Sequence, residues 1–67
     1  MNGKLLKSKM VEYGDTQAKL ASAIGISSSN LNDKINGKVS FRQSDISAIR
    51  KRYNLTPEEV DLIFFSV

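Results

Sequence analysis

The chain has no cysteine and no histidine, and only one proline among its 67 residues. Without cysteine there is neither a disulfide framework nor a thiolate metal site to supplement the core. Without histidine the commonest general base and metal ligand is missing as well. No Gly-rich phosphate loop is present. The one adjacent carboxylate pair, Glu58-Glu59, sits at a helix start where capping accounts for it. An enzyme is therefore not expected, nor is a cofactor, a metal or a small-molecule ligand. Long apolar runs are also missing: the longest is Leu62-Ile63-Phe64-Phe65, far short of a bilayer span. The first thirteen residues interleave lysines with apolar residues and hold no apolar core of signal-peptide length. A single domain over residues 1–67, soluble and cytoplasmic, is the expectation.

The net charge is +3, unevenly distributed. All ten Lys and Arg lie in residues 1–55 with four acids, Glu12, Asp15, Asp33 and Asp45, whereas residues 56–67 hold Glu58, Glu59 and Asp61 and no base. A basic body with an acidic end suits a polyanionic partner.

Gly14-Asp15, Gly25, Asn36-Gly37 and Asn54 with Pro57 divide the chain into segments of helical spacing. The first, Leu5 to Tyr13, aligns Leu6, Met10 and Tyr13. The second opens at Asp15 or Thr16, carries Ala18, Leu20, Ala21 and Ile24, and stops at Gly25, with Ile26 placed to fold back on the cap. The third follows Ser27-Ser28-Ser29 and has only Leu31 and Ile35 as large apolar residues. The fourth, roughly Ser44 to Tyr53, buries Ile46, Ile49 and Tyr53 and exposes Arg50, Lys51 and Arg52. The fifth, about 57–66, has Thr56 as N-cap, Pro57 at its first position and Glu59 completing a capping box. No stretch alternates with period two, so the class is all-α with five short helices. Leu5, Leu6, Met10, Leu20, Ile24, Leu31, Ile35, Ile46, Ile49, Leu55 and Val60 are core by default.

The third segment is the informative one. A helix with a thin apolar stripe and small polar side chains elsewhere buries little of itself. Here it follows another short helix across a Gly-containing turn. Residues 16–36 thus fit a helix-turn-helix, whose second helix enters the major groove with its N-terminal residues toward base edges. The pattern alone also suits an ordinary small bundle with a serine cap.

Thr16-Gln17-Ala18-Lys19-Leu20-Ala21, Ile24-Gly25-Ile26-Ser27, Leu31 and Ile35-Asn36-Gly37-Lys38 occur in order and spacing that resemble the Cro/CI-type phage-repressor helix-turn-helix family. Asn54 to Val60 is similar to the opening of that family's fifth helix. The Ile63-Phe64-Phe65 close, with Lys34 to Lys38, resembles small regulators of Gram-positive phages and prophages. The likeness covers about residues 4–65. It implies a five-helix lambda-repressor-like DNA-binding domain and a transcriptional regulator, Cro-like given its shortness, with double-stranded operator DNA as partner.

Carried over by position, the resemblance puts Ser28 and Ser29 at the base-reading positions, with Ser27 as cap or neighbour and Asp33 one turn on. Asn30 and Asn32 flank that face, Asn32 toward the bases and Asn30 toward the backbone. Gln17, Asn36, Lys38, Ser40 and Arg42 stand at phosphate-contacting positions. Lys34 occupies a position that is often apolar in the family; its stem is expected to run along the helix while its charge reaches a phosphate. Met10 and Ile35 stand where many members carry a buried Arg–Glu pair.

Residues 60–67 hold six large apolar groups, more than one face of a short helix hides. A homodimer through Leu62, Phe65 and Val67 is therefore expected, with Ile63 and Phe64 helping the core, and it would suit a palindromic site. The competing reading is a protein-interaction module, antirepressor-like, that contacts another regulator instead of DNA.

Overall fold

The computed structural model describes residues 1–65 of the chain. It is all-α, with five α-helices and, among the described residues, no strand. Helix α1 spans Gly3–Glu12, α2 Gln17–Ile24, α3 Ser28–Ile35, α4 Gln43–Tyr53 and α5 Pro57–Val60. A single π-helical turn, Asp61–Phe65, closes the described chain.

Each helix starts where a side chain answers the orphan N–H groups of its first turn. Asn2 Oδ1 accepts the Leu5 N–H at 3.1 Å, so α1 begins two residues before the expected Leu5. Thr16 and not Asp15 caps α2, its hydroxyl accepting the Lys19 N–H at 3.2 Å. Ser27 caps α3 through the Asn30 N–H at 3.0 Å. Thr56 and Glu59 form the reciprocal capping box of α5, at 3.1 and 3.0 Å. Helix α4 starts at Gln43, one residue ahead of the expected Ser44, where Asp45 accepts the Arg42 N–H at 3.0 Å.

Helices α2 and α4 end alike. Gly25 takes the left-handed conformation at φ +79°, and the Ile26 N–H returns to the Ala21 carbonyl at 2.9 Å. At the end of α4 that conformation falls to Asn54, with the Leu55 N–H on the Arg50 carbonyl at 3.0 Å. In both places the following residue, Ile26 or Leu55, turns inward against the core.

The core comprises Leu6, Met10, Leu20, Ala21, Leu31, Ile35, Ile46, Ile49, Tyr53, Leu55, Val60 and Ile63. Leu5 and Ile24, expected within it, are half-buried at its edge together with Ile26, Phe41 and Phe64. Tyr13 departs further. It lies at the C-cap of α1, is 49% exposed, and packs its ring 5.0 Å from that of Tyr53 while its hydroxyl donates to the Tyr53 carbonyl. A phenol that caps an edge in this way keeps its polar tip satisfied without entering the core.

The fifth element also differs from the continuous helix expected over 57–66. One α-turn gives way to the wider π-turn, in which Ile63 is fully buried and its carbonyl accepts the Asn2 N–H at 2.7 Å. Phe64 meets Phe41 edge-on at 5.2 Å. Widening the turn spreads four consecutive apolar residues over two directions, and Leu62 and Phe65 remain 55% exposed.

The start of α1 lies tightly against the end of α3. A Cβ placed on Gly3 would come within 2.9 Å of the Ile35 carbonyl oxygen. Gly3→Ala, which on helix propensity alone would stabilise α1, is therefore expected to destabilise the fold by about 1–3 kcal/mol through overpacking. A urea titration reads this as a lowered midpoint with unchanged slope; an unchanged or raised midpoint contradicts the α1–α3 contact.

Candidate nucleic-acid interface

Helix α3 has eight residues, and its buried side is narrow: Leu31, Ile35 and, between them, Lys34. Ser29 and Asn32 lie off that side, whereas Ser28 stands in line with Leu31 and Ile35 on the first turn, and all three are exposed. Packing of α2 against both α3 and α4 sets the angle of this face. Across the turn Gly25-Ile26-Ser27, Gln17 Nε2 donates to Asn32 Oδ1 at 3.4 Å, joining the first residue of α2 to the middle of α3. Gln17, Ser28, Ser29 and Asn32 are thereby gathered on one side of the α2–α3 unit. Ser27 is exposed too, with its oxygen engaged as the α3 cap.

Asn30 and Asp33 are half-buried and so sit at the flank of this face. The Asp33 carbonyl accepts the Lys38 N–H at 2.9 Å and the Val39 N–H at 3.4 Å, which starts the 36–42 loop in a fixed direction. Along that loop Asn36, Lys38, Ser40 and Arg42 are all exposed. The loop therefore carries two cations and two small polar side chains next to the outward face of α3. Lys19 adds a third exposed cation from α2.

Lys34 is the correction to the sequence reading. Its side chain is 2% exposed and its Nζ lies 2.6 Å from Asp45 Oδ2, so its charge cannot reach a phosphate. Snorkelling requires the ammonium group to end in water; here a carboxylate on α4 meets it inside the protein. Burial alone would push the Asp45 carboxyl up, but hydrogen bonds from Lys34 and the Arg42 N–H outweigh it and hold the pKa below the usual range. Nothing local in the sequence marks this pair, whose members are eleven residues apart.

A second polar cluster fixes the other end of the α2–α3 unit. Arg52 Nε and Nη2 each donate to the Asp15 carboxylate at 2.7 Å, and the Tyr53 hydroxyl donates to it at 2.7 Å. Arg50, Lys51 and Arg52 are all exposed as expected, but Arg52 also holds the α1–α2 connection onto α4 through Asp15. Every buried side-chain nitrogen and oxygen among the described residues has a hydrogen-bond partner.

On the loop itself, Val39, Ser40 and Phe41 border, with Met1, Phe64 and Phe65, a groove of about 400 Å³ between the 36–42 loop and the π-turn. Leu62 and Phe65, expected at a dimer interface, are the exposed apolar members of the closing turn. Val67, the third residue assigned there, lies outside the described residues. No helix among the described residues is long and apolar enough to cross a membrane.

An all-helical domain with a short polar helix displayed beside a basic loop is the class these observations define. Over residues 2–67 the chain belongs to a family described as proteins of unknown function, DUF739. No curated protein and no solved structure matches it.

The Asp15 cluster has a measurable consequence. Arg52 foremost, then Tyr53, lowers the Asp15 carboxyl from its ordinary 3.8 to about 2. A depressed folded-state pKa stabilises the fold above the unfolded value, and the contribution fades as pH falls from about 4 toward 2. Asp15→Asn is expected to cost about 1–2 kcal/mol at pH 7, since Arg52 remains partly solvated. The gap between variant and wild type should shrink to a small fraction of its neutral-pH size at pH 2. Urea midpoints at pH 7, 4 and 2 measure this, and a gap independent of pH would contradict the assignment.

Proposed function

We propose that this protein is a sequence-specific DNA-binding transcriptional regulator, Cro-like and of phage or prophage type, that binds a palindromic operator as a homodimer. The observation that carries the reading is the outward face of α3: Ser28, Ser29 and Asn32 exposed on a helix that buries only Leu31, Lys34 and Ile35, with Gln17 tied to Asn32 across a three-residue turn. On this reading α2 and α3 are a helix-turn-helix. Helix α3 lies in the major groove, where hydroxyl and amide groups donate to and accept from base edges. The first-turn N–H groups of α2 and the Gln17 side chain hold one phosphate, aided by the helix dipole. Lys38, Ser40 and Arg42, with Asn36, hold the backbone beyond α3, and Asn30 supports them from the flank. Asp33, half-buried, is restricted to a cytosine amino group at the edge of the read site.

One short helix reads only a few base pairs, so a second copy on the other half of a palindrome strengthens and sharpens binding. The exposed Leu62 and Phe65 supply an apolar surface for that pairing. Regulation on this account is steric: the dimer covers an operator that overlaps a promoter and excludes polymerase.

Titration of random-sequence duplexes at low and moderate salt, followed by sequencing of the bound fraction, tests the reading. A palindromic consensus is expected, with affinity falling steeply as salt rises. Lys38→Ala and Arg42→Ala should each weaken binding to all sequences alike and lower the salt slope by about 1 per copy. Ser29→Ala should instead relax the consensus at a single position of each half-site. Absence of binding at low salt would overturn the proposal and favour the protein-interaction reading.

A further inference from the structure

The exposed cations of the 36–42 loop stand on a short, irregular stretch of backbone, and three contacts fasten it from beneath. The Asp33 carbonyl holds the Lys38 and Val39 N–H groups. The Lys34 ammonium lies 5.8 Å from the centre of the Phe41 ring. Asp45 Oδ2, while bonded to Lys34, also accepts the Arg42 N–H at 3.0 Å. Lys34 and Asp45 therefore join three things at one point: the polar helix α3, the loop, and the N-terminus of α4.

We propose that the buried Lys34–Asp45 pair is a positioning device that sets Lys38 and Arg42 in register with the outward face of α3, so that a polyanion is gripped and read at once. This inference rests on the DNA-binding reading and extends it to two side chains that themselves touch no DNA. A pair kept only for stability is easily dispensed with, because apolar residues of similar volume often replace a buried ion pair at no cost. What apolar residues cannot reproduce is the carboxylate that accepts the Arg42 N–H and the cation facing Phe41. The Arg42 side chain itself is 71% exposed, and Asp45 Oδ2 holds it twice, closely through the Arg42 N–H at 3.0 Å and loosely through Nε at 3.9 Å.

The test compares wild type with the double variant Lys34→Met/Asp45→Leu, using thermal unfolding and binding to random-sequence duplexes across a salt series. The expected result is a folded variant whose affinity at moderate salt falls by about tenfold or more. Its salt slope should drop by about 2 per copy, as Lys38 and Arg42 lose their register. A merely stabilising pair would change the melting temperature and leave the slope alone. A folded variant with wild-type affinity and slope overturns this inference and leaves the DNA-binding reading standing. Wild type that binds no DNA at low salt overturns both. Should the double variant fail to fold, amide exchange in the wild-type protein decides. The Arg42 and Lys38 N–H groups should be protected to the level of α3, and exchange at the rate of an open loop overturns the inference.

Discussion

Helix α3 buries little of itself, and the contacts around it make up for that. Two apolar side chains, Leu31 and Ile35, are a thin anchor for eight ordered residues. The face that is free to meet a partner stays in place only if other contacts fix the helix. They do so at both of its ends. The Gly25 turn and the Ser27 cap set its beginning, and the Lys34–Asp45 pair with the Asp33 carbonyl sets its end. Exposure of Ser28, Ser29 and Asn32 is thus a consequence of what lies beneath them.

Helix α4 acts as the beam for this arrangement. Its N-terminal turn supplies Asp45 to Lys34, and its C-terminal turn supplies Arg52 and Tyr53 to Asp15. Between those clamps Ile46 and Ile49 lie in the core. The α2–α3 unit is therefore held apolar in the middle and ionic at both ends. At the Lys34 end such a frame resists sliding in a way an all-apolar seam does not, because a displaced half of that buried pair is left uncompensated. Both carboxylates are held below their ordinary pKa, so the clamps stay charged at neutral pH.

Much of the fold was legible because its signals are local. Gly25 followed by Ile26, the serine cap at Ser27, and Thr56-Pro57-Glu58-Glu59 each act within a few residues, and the helices end where these signals lie. The exposure of Ser29 and Asn32 was legible for the same reason, since they lie off the stripe of two apolar residues, although Lys34 is buried and Asn30 and Asp33 are half-buried. What escaped depends on partners distant in sequence. Lys34 reads as a surface lysine until Asp45 is brought to it. Arg52 reads as one of three solvated cations until Asp15 arrives from 37 residues away. The edge-on contact of Phe41 with Phe64, and the change to a π-turn after Val60, likewise follow from tertiary packing that no short motif announces.

The outward face of α3 and the loop after it are proposed to meet nucleic acid. Amide chemical shifts followed while a short duplex is added at low salt test this most directly. The account predicts that Gln17, Ser28, Ser29, Asn32 and Lys38 move together and saturate together, with Ile49 and Tyr53 unaffected. Shifts confined to Leu62 and Phe65, or none at any duplex concentration, would contradict it.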